Sequence, residues 1–166
     1  HLGEQGLWTK ANNYELSLRV PLIFSIPMQK NQGSKSHGLV ELVDIYPSIC
    51  EACQIEIPTD LEGKSFVPLL NDPNKEWKKA AYSQFPRNRK GNRHSKHGDI
   101  MGYSVRTDTH RYTEWRDWKS NRLINKELYD HRNDPGEMKN IAPIKESQGQ
   151  LKALNKVLNE GWKSLK

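Results

Sequence analysis

A chain of 166 residues fits one domain or a large part of one, and with 34% apolar and 28% charged residues it is polar for a globular chain. Its formal net charge of +6 comes mainly from one stretch, Arg87 to Gly98 (RNRKGNRHSKHG), whose five Lys/Arg carry no aromatic among them; that argues against a nucleic-acid-binding face. No apolar run approaches the length of a membrane span, so no membrane partner is expected.

Taken along the chain, residues 1–17 read as a loop with a short helical stretch. Gly3 and Gly6 let it turn sharply and Trp8 serves as an anchor. In RVPLIFSIP (Arg19 to Pro27), Val20, Leu22, Ile23, Phe24 and Ile26 form an apolar run closed by prolines, which predicts a strand buried on both faces of a larger sheet. Polar, glycine-containing residues 28–38 read as a loop. The spacing in LVELVDIYPSICEACQI predicts a helix over 44–53, with Asp44 as cap and Pro47 confined to the first turn. Cys50 and Cys53 would share its apolar face with Leu42, Val43, Tyr46 and Ile49 as buried thiols. No second C-x-x-C or H-x-x-x-H completes a zinc site, so no metal ligand is assigned.

A turn-rich connector follows, with an apolar patch at Phe66, Val67, Leu69 and Leu70. KAAYSQFPR (Lys79 to Arg87) predicts a strand. IMGYSVRTDTHRYTEWRDW (Ile100 to Trp118) predicts a hairpin about its TDTH turn, with Tyr112 and Trp115 on opposite faces, both covered. KELYDHRNDPGEMKNIA predicts a short strand and an Asp-Pro-Gly turn. The end is an amphipathic helix whose stripe of Leu151, Leu154, Val157, Leu158, Trp162 and Leu165 lies across the sheet. The basic stretch between strand and hairpin is either a solvated surface loop or one that faces an anion.

The order and spacing of several of these stretches resemble the C-terminal part of a formylglycine-dependent sulfatase of the alkaline-phosphatase-like superfamily. HLGEQGLWTK resembles the segment after the metal-binding Asp-His, of the form D-H-G-x-x-L-G-E-x-x-x-W-x-K. RVPLIF resembles the next sheet strand. AYSQFPR, IMGYSVRTDTHRYTEW and ELYDHRNDPGEMKNIA resemble the small domain, most closely that of iduronate-2-sulfatases and their bacterial relatives.

The resemblance implies an α/β fold, α+β in its C-terminal half. Residues 1–78 would be the end of a large catalytic domain and its connector. Residues 79–166 would be a small antiparallel sheet with a packed helix. It also implies sulfate-ester hydrolysis, with a sulfated saccharide, uronate-containing, as substrate partner. A formylglycine and a calcium ion would be the cofactors. Neither Cys50 nor Cys53 is followed by x-P-x-R, so the formylglycine, like the Asp-His metal pair, is expected upstream of His1, in a missing N-terminal catalytic portion. The alternatives are an arylsulfatase or phosphonate monoester hydrolase of the same superfamily, or a non-catalytic anion-binding module. The lack of any Asn-x-Ser/Thr acceptor favours a periplasmic or secreted bacterial protein over a lysosomal one.

For the site, Lys10 matches the lysine that contacts sulfate, a compact charge suited to a sulfate oxygen. His1 and Glu4 flank the same loop, as substrate contacts or, for Glu4, as a structural hydrogen bond. Gln5 stands where relatives often carry His. Trp8 packs or stacks on ligand. Arg106, inside a strand, is a structural ion pair or a carboxylate clamp. Arg87, His94 and Lys96, in or beside the basic loop, are candidate contacts to further anions of a sulfated glycan.

Overall fold

The structure, a computed structural model, describes residues 1–87 and 99–161. Those residues divide into two compact units, one made of 1–21 with 82–161, the other of 22–81. His94, Lys96, Trp162 and Leu165 lie outside the described residues.

The first unit is built on a four-stranded sheet in the order β1 (Ala81–Arg87), β2 (Ile100–Arg106), β3 (His110–Asp117), β4 (Leu123–Asp130). The predicted strand and hairpin are both present. β2 and β3 pair antiparallel with Val105 opposite Tyr112 and Arg106 opposite Arg111, and β3 and β4 pair with Tyr112 opposite Leu128. Alternation then sorts the side chains onto two faces. One carries Tyr103, Val105, Tyr112, Glu114 and Leu128; the other carries Gly102, Ser104, Arg106, Arg111, Thr113, Trp115, Glu127 and Tyr129.

Helix α4 (Gln148–Glu160) covers the first face, packing on β2 and β3 with Leu151 and Leu154 buried. Val105, Tyr112 and Leu128 beneath it are fully buried, each worth roughly 1.5–3 kcal/mol. Glu114 is buried there too, at no cost in unmet bonds. It accepts from Tyr112 Oη at 2.7 Å, Arg116 Nε at 2.8 Å and Asn155 Nδ2 at 2.5 Å, and so ties α4 to the sheet. Gly161, at φ 72, ends the helix.

Residues 1–21, which include the short helix α1 (Glu15–Leu18), lie over the other face. Asn13 Nδ2 donates to the Gly102 carbonyl at 3.0 Å. That approach requires glycine, because a Cβ at 102 would sit 2.5 Å from the Trp115 ring and 2.6 Å from Asn13 Nδ2. Tyr14 meets Tyr129 edge-on at 5.9 Å. As expected, Tyr112 and Trp115 point to opposite faces and both are buried.

The second unit holds a 3-10 turn (Leu42–Asp44), α2 (Ile45–Ala52) and α3 (Val67–Asn71). Its core is Cys50, Phe66, Val67 and Leu69, with Phe24 edge-on to Phe66 at 5.0 Å. Pro47 falls in the first turn of α2, as predicted. Asp44 does not cap α2. Its carboxylate, fully buried, accepts from Glu41 N at 2.8 Å, Lys64 N at 2.8 Å and Lys78 Nζ at 2.6 Å, fastening the connector to the helix start.

Three local expectations are corrected. The run at 19–27 forms no strand. Ile23 is 92% exposed and Val20 55% exposed. A strand buried on both faces needs hydrogen-bonding neighbours on both sides, and among the described residues all the sheet strands belong to β1–β4. Cys53 is exposed and only Cys50 is buried, because α2 ends at Ala52 and Cys53 turns off its axis. The patch at 66–70 folds as α3 rather than as irregular connector.

Candidate functional site

Residues 1–9 close into a small ring. Thr9 N donates to the His1 carbonyl at 3.1 Å, Leu2 and Trp8 form an isolated antiparallel bridge, and Gly3 N donates to Leu7 O at 3.0 Å. Gly3 at φ 128 and Gly6 at φ 68 take the turns that other residues resist. Glu4 works inside this ring. Its Oε2 accepts from Leu2 N at 2.6 Å, and that backbone bond holds its carboxyl below the usual range. His1 Nδ1 lies 3.3 Å from the Glu4 carbonyl, and its ring is edge-on to Tyr14 at 6.0 Å.

Lys10 follows the ring, exposed, and among the described residues its ammonium meets no acceptor. Trp8 is 70% exposed, so it does not anchor the loop by burial. The anchors are polar. Gln5 Nε2 donates to Gly136 O at 2.6 Å and Glu137 O at 3.2 Å, Asn13 reaches Gly102, and Glu15 enters a charged cluster.

In that cluster Arg106 Nε donates to Glu15 Oε2 at 3.1 Å and Arg111 Nη2 donates to the same oxygen at 2.5 Å. Arg111 Nε and His131 Nε2 lie 2.6 Å and 2.7 Å from Glu137 Oε1. Burial pushes the Glu15 carboxyl up, but the Arg106 hydrogen bond and the charges of Arg111 and Arg106 outweigh it, and the net shift is downward. Arg106 is thus committed to a carboxylate of its own chain. The sequence reading missed Gln5, Asn13, Glu15, Arg111, His131 and Glu137 as a constellation. One signal was available: a hairpin that sets Arg106 opposite Arg111 needs acids between two like charges.

Arg87 stacks on Trp115, its guanidinium carbon 4.0 Å from the ring centre, and lies 5.9 Å from the Tyr14 ring. Glu127 faces the same region. Burial raises its carboxyl, while Trp115, Arg87 and Tyr129 pull the other way.

Glu15, His131 and Glu137 offer ligand atoms within 4.8 Å of one another. They do not fit calcium. Two guanidinium groups already balance the two carboxylates, so a divalent ion would face both arginines.

A family model described as N-sulphoglucosamine sulphohydrolase, C-terminal, matches residues 3–164, and the chain belongs to that family. It is 32% identical over 175 residues to N-acetylglucosamine-6-O-sulfatase of Bacteroides thetaiotaomicron, covering 99% of this chain and 28% of that protein. It is 29% identical to human iduronate 2-sulfatase, over 69% of this chain and 30% of that protein. The structure of BT4656 in complex with its substrate D-glucosamine-2-N,6-O-disulfate superposes with a TM-score of 0.80 at 29% identity, covering 96% of this chain and 31% of that one. The chain therefore spans less than a third of the length of these relatives.

Proposed function

We propose that this chain is the C-terminal part of a sulfatase that hydrolyses a sulfate ester on a glycosaminoglycan-type saccharide, and that Lys10 contacts the sulfate. The observation that carries the reading is the Lys10 loop itself. Its backbone is closed by internal hydrogen bonds, its flanks are tied to the sheet and the 134–137 turn, and among the described residues its ammonium is left without a partner. A cation carried on a fixed loop meets a transferring sulfuryl group with little backbone reorganisation.

The rest of the machinery belongs to the remainder of the protein. Neither Cys50 nor Cys53 sits in an x-P-x-R context, so the formylglycine would be supplied from outside these residues, and calcium with it. When bound, that pair would supply the nucleophile and the charge that neutralises sulfate oxygens. Residues 1–78 would belong to the large catalytic domain with its connector and 79–166 to the small C-terminal subdomain, with 1–21 packed in one unit with the sheet of the latter. His1, with Tyr14, and Arg87, fixed on Trp115, would contact the sugar and further anions, joined by His94 and Lys96 of the basic stretch. Glu4 would shape the loop. The relative matched over 99% of this chain acts on an N-acetylglucosamine 6-O-sulfate, which makes a 6-O-sulfated glucosamine the first substrate to try, ahead of iduronate 2-sulfate. A periplasmic or secreted bacterial location accords with the bacterial relative and with a sequence free of Asn-x-Ser/Thr acceptors.

The test is a hydrolysis panel with the complete protein: glucosamine 6-sulfates, iduronate 2-sulfates, an aryl sulfate and a phosphonate monoester. Sulfate release from a saccharide, lost by at least 100-fold in Lys10→Ala, is expected. Full activity in that variant would remove Lys10 from the site, and turnover of the phosphonate alone would replace the sulfatase reading.

A further inference from the structure

Lys10 is bracketed by Gln5 and Glu15, and both end on one turn more than a hundred residues away. The Asp134–Glu137 turn is fixed by Asp134, whose carboxylate accepts from Met138 N at 3.0 Å and Lys139 N at 2.8 Å. It presents the Gly136 and Glu137 carbonyls to Gln5 and the Glu137 carboxylate to Glu15. Glu137 spends both oxygens: Oε2 accepts from the Glu15 backbone N–H at 2.7 Å, while Oε1 lies 2.6 Å from Arg111 Nε and 2.7 Å from His131 Nε2. The side chain is fully buried.

Two strained residues meet here, Gln5 at φ 54 and Glu137 at φ 55. Left-handed backbone at a non-glycine residue costs of order 1 kcal/mol or more and persists only where surroundings over-determine it. A buried ion network adds little net stability over a well-packed apolar core, but it admits one geometry.

We propose that Glu137 is a positioning residue for the Lys10 segment. It holds one flank through Glu15 and, by the carbonyls of its turn, the other through Gln5. The inference rests on the reading of Lys10 as the sulfate-contacting group. The sheet unit, through the Asp134–Glu137 turn, would then set where the Lys10 segment stands.

The experiment uses the complete protein and two variants, Glu137→Gln and the milder Gln5→Ala, which leaves the buried network intact. Hydrogen exchange at the amides of Gly3, Leu7 and Thr9 should quicken at least tenfold in both, while amides of β2 and β3 keep their protection in Gln5→Ala. Turnover of the sulfated saccharide should fall about tenfold in Gln5→Ala, through kcat rather than KM, and that loss should vanish in a Lys10→Ala background, as expected if Gln5 acts through Lys10. Unchanged exchange in the loop, or a kcat loss that persists in full without Lys10, would overturn the proposal. If the parent protein releases no sulfate from any substrate, the functional reading falls, and the exchange comparison still decides whether the turn fixes the loop.

Discussion

In the sheet unit Arg111, Glu114 and Glu137 are at most 3% exposed, and each meets an opposite charge within 2.8 Å. In residues 22–81 the buried apolar core is smaller, Cys50, Phe66, Val67, Leu69 and Ala80, and a buried polar hub around Asp44 lies within the same unit; Ile23, Leu42, Ile55, Tyr46 and Val43 are each more than half exposed. Ser48 extends that hub, donating to the Asp44 carbonyl at 2.6 Å and accepting from Phe66 N at 2.8 Å. The sheet unit therefore rests on packed area with charges satisfied inside it. The other unit rests on a few directional bonds over a small core, and removing one group should cost it proportionately more.

The sharpest way to break that contrast is Asp44→Ala. The change strips acceptors from two backbone amides and leaves Lys78, 8% exposed, with Glu41 alone at 2.7 Å. A loss of about 4 kcal/mol is expected, read as faster hydrogen exchange in α2 and α3. Near-wild-type protection there would show that the hub is dispensable. Next in size is Leu128→Ala beneath α4, fully buried in the native sheet. It should cost about 3 kcal/mol by leaving a cavity, read as a lower midpoint in denaturant for the β2–β4 amides. A cost below about 1 kcal/mol would mean the sheet unit does not depend on packed area either.

The same contrast marks what the sequence could express. α2 was legible because Pro47 suits a first helical turn and the apolar spacing is helical, although Asp44 serves the connector rather than the cap, and α4 because its stripe has helical period. The hairpin was legible because two β-rich arms flank a polar turn. The run at 19–27 misled because an apolar stretch says that burial is wanted and not which strands supply it. Cys53 misled because a helix one residue shorter turns it away. Lys10 came into view through resemblance, since a lone exposed lysine has no local signature. The residues that hold its loop were hidden, because Glu15 meets Arg111 across 96 positions and no periodicity spans that distance. Only the cross-strand Arg106–Arg111 pair hinted at acids to come.

Titration separates the groups within the sheet unit with smaller effects. Burial holds His110 below the ordinary imidazole value, so as pH falls below about 6.5 the unfolded chain takes the proton first and stability declines. Arg132, hydrogen-bonded to Asp130, draws that carboxyl well below its usual range, and Glu15 is also lowered. Their contribution is present above about pH 4 and is lost as pH falls through the folded values. Thermal midpoints should therefore drop in two steps on acidification, a shallow one setting in below about pH 6.5 and a steeper one below about pH 4. His110→Gln should remove the upper step and spare the lower. A single step near pH 6 in that variant would reassign the upper transition to another group.

The smallest expected effect probes the exposed apolar side chains directly. Ile49 and Cys50 are neighbours on α2, the first 44% exposed and the second 4% exposed. Serine at 50 puts a hydroxyl into the buried core of this unit and should cost on the order of 1–2 kcal/mol. Serine at 49 replaces a side chain that water already reaches, and in the 166-residue chain it should change stability by no more than about 0.5 kcal/mol. The pair is informative because the two positions are adjacent on one helix and differ sharply in burial, so the larger truncation falls on the more exposed site. If Ile49→Ser cost as much as Cys50→Ser, the outer face of α2 would be covered in solution. The second unit would then rest on packed area as the sheet unit does, and the difference between the two would shrink to the Asp44 hub alone.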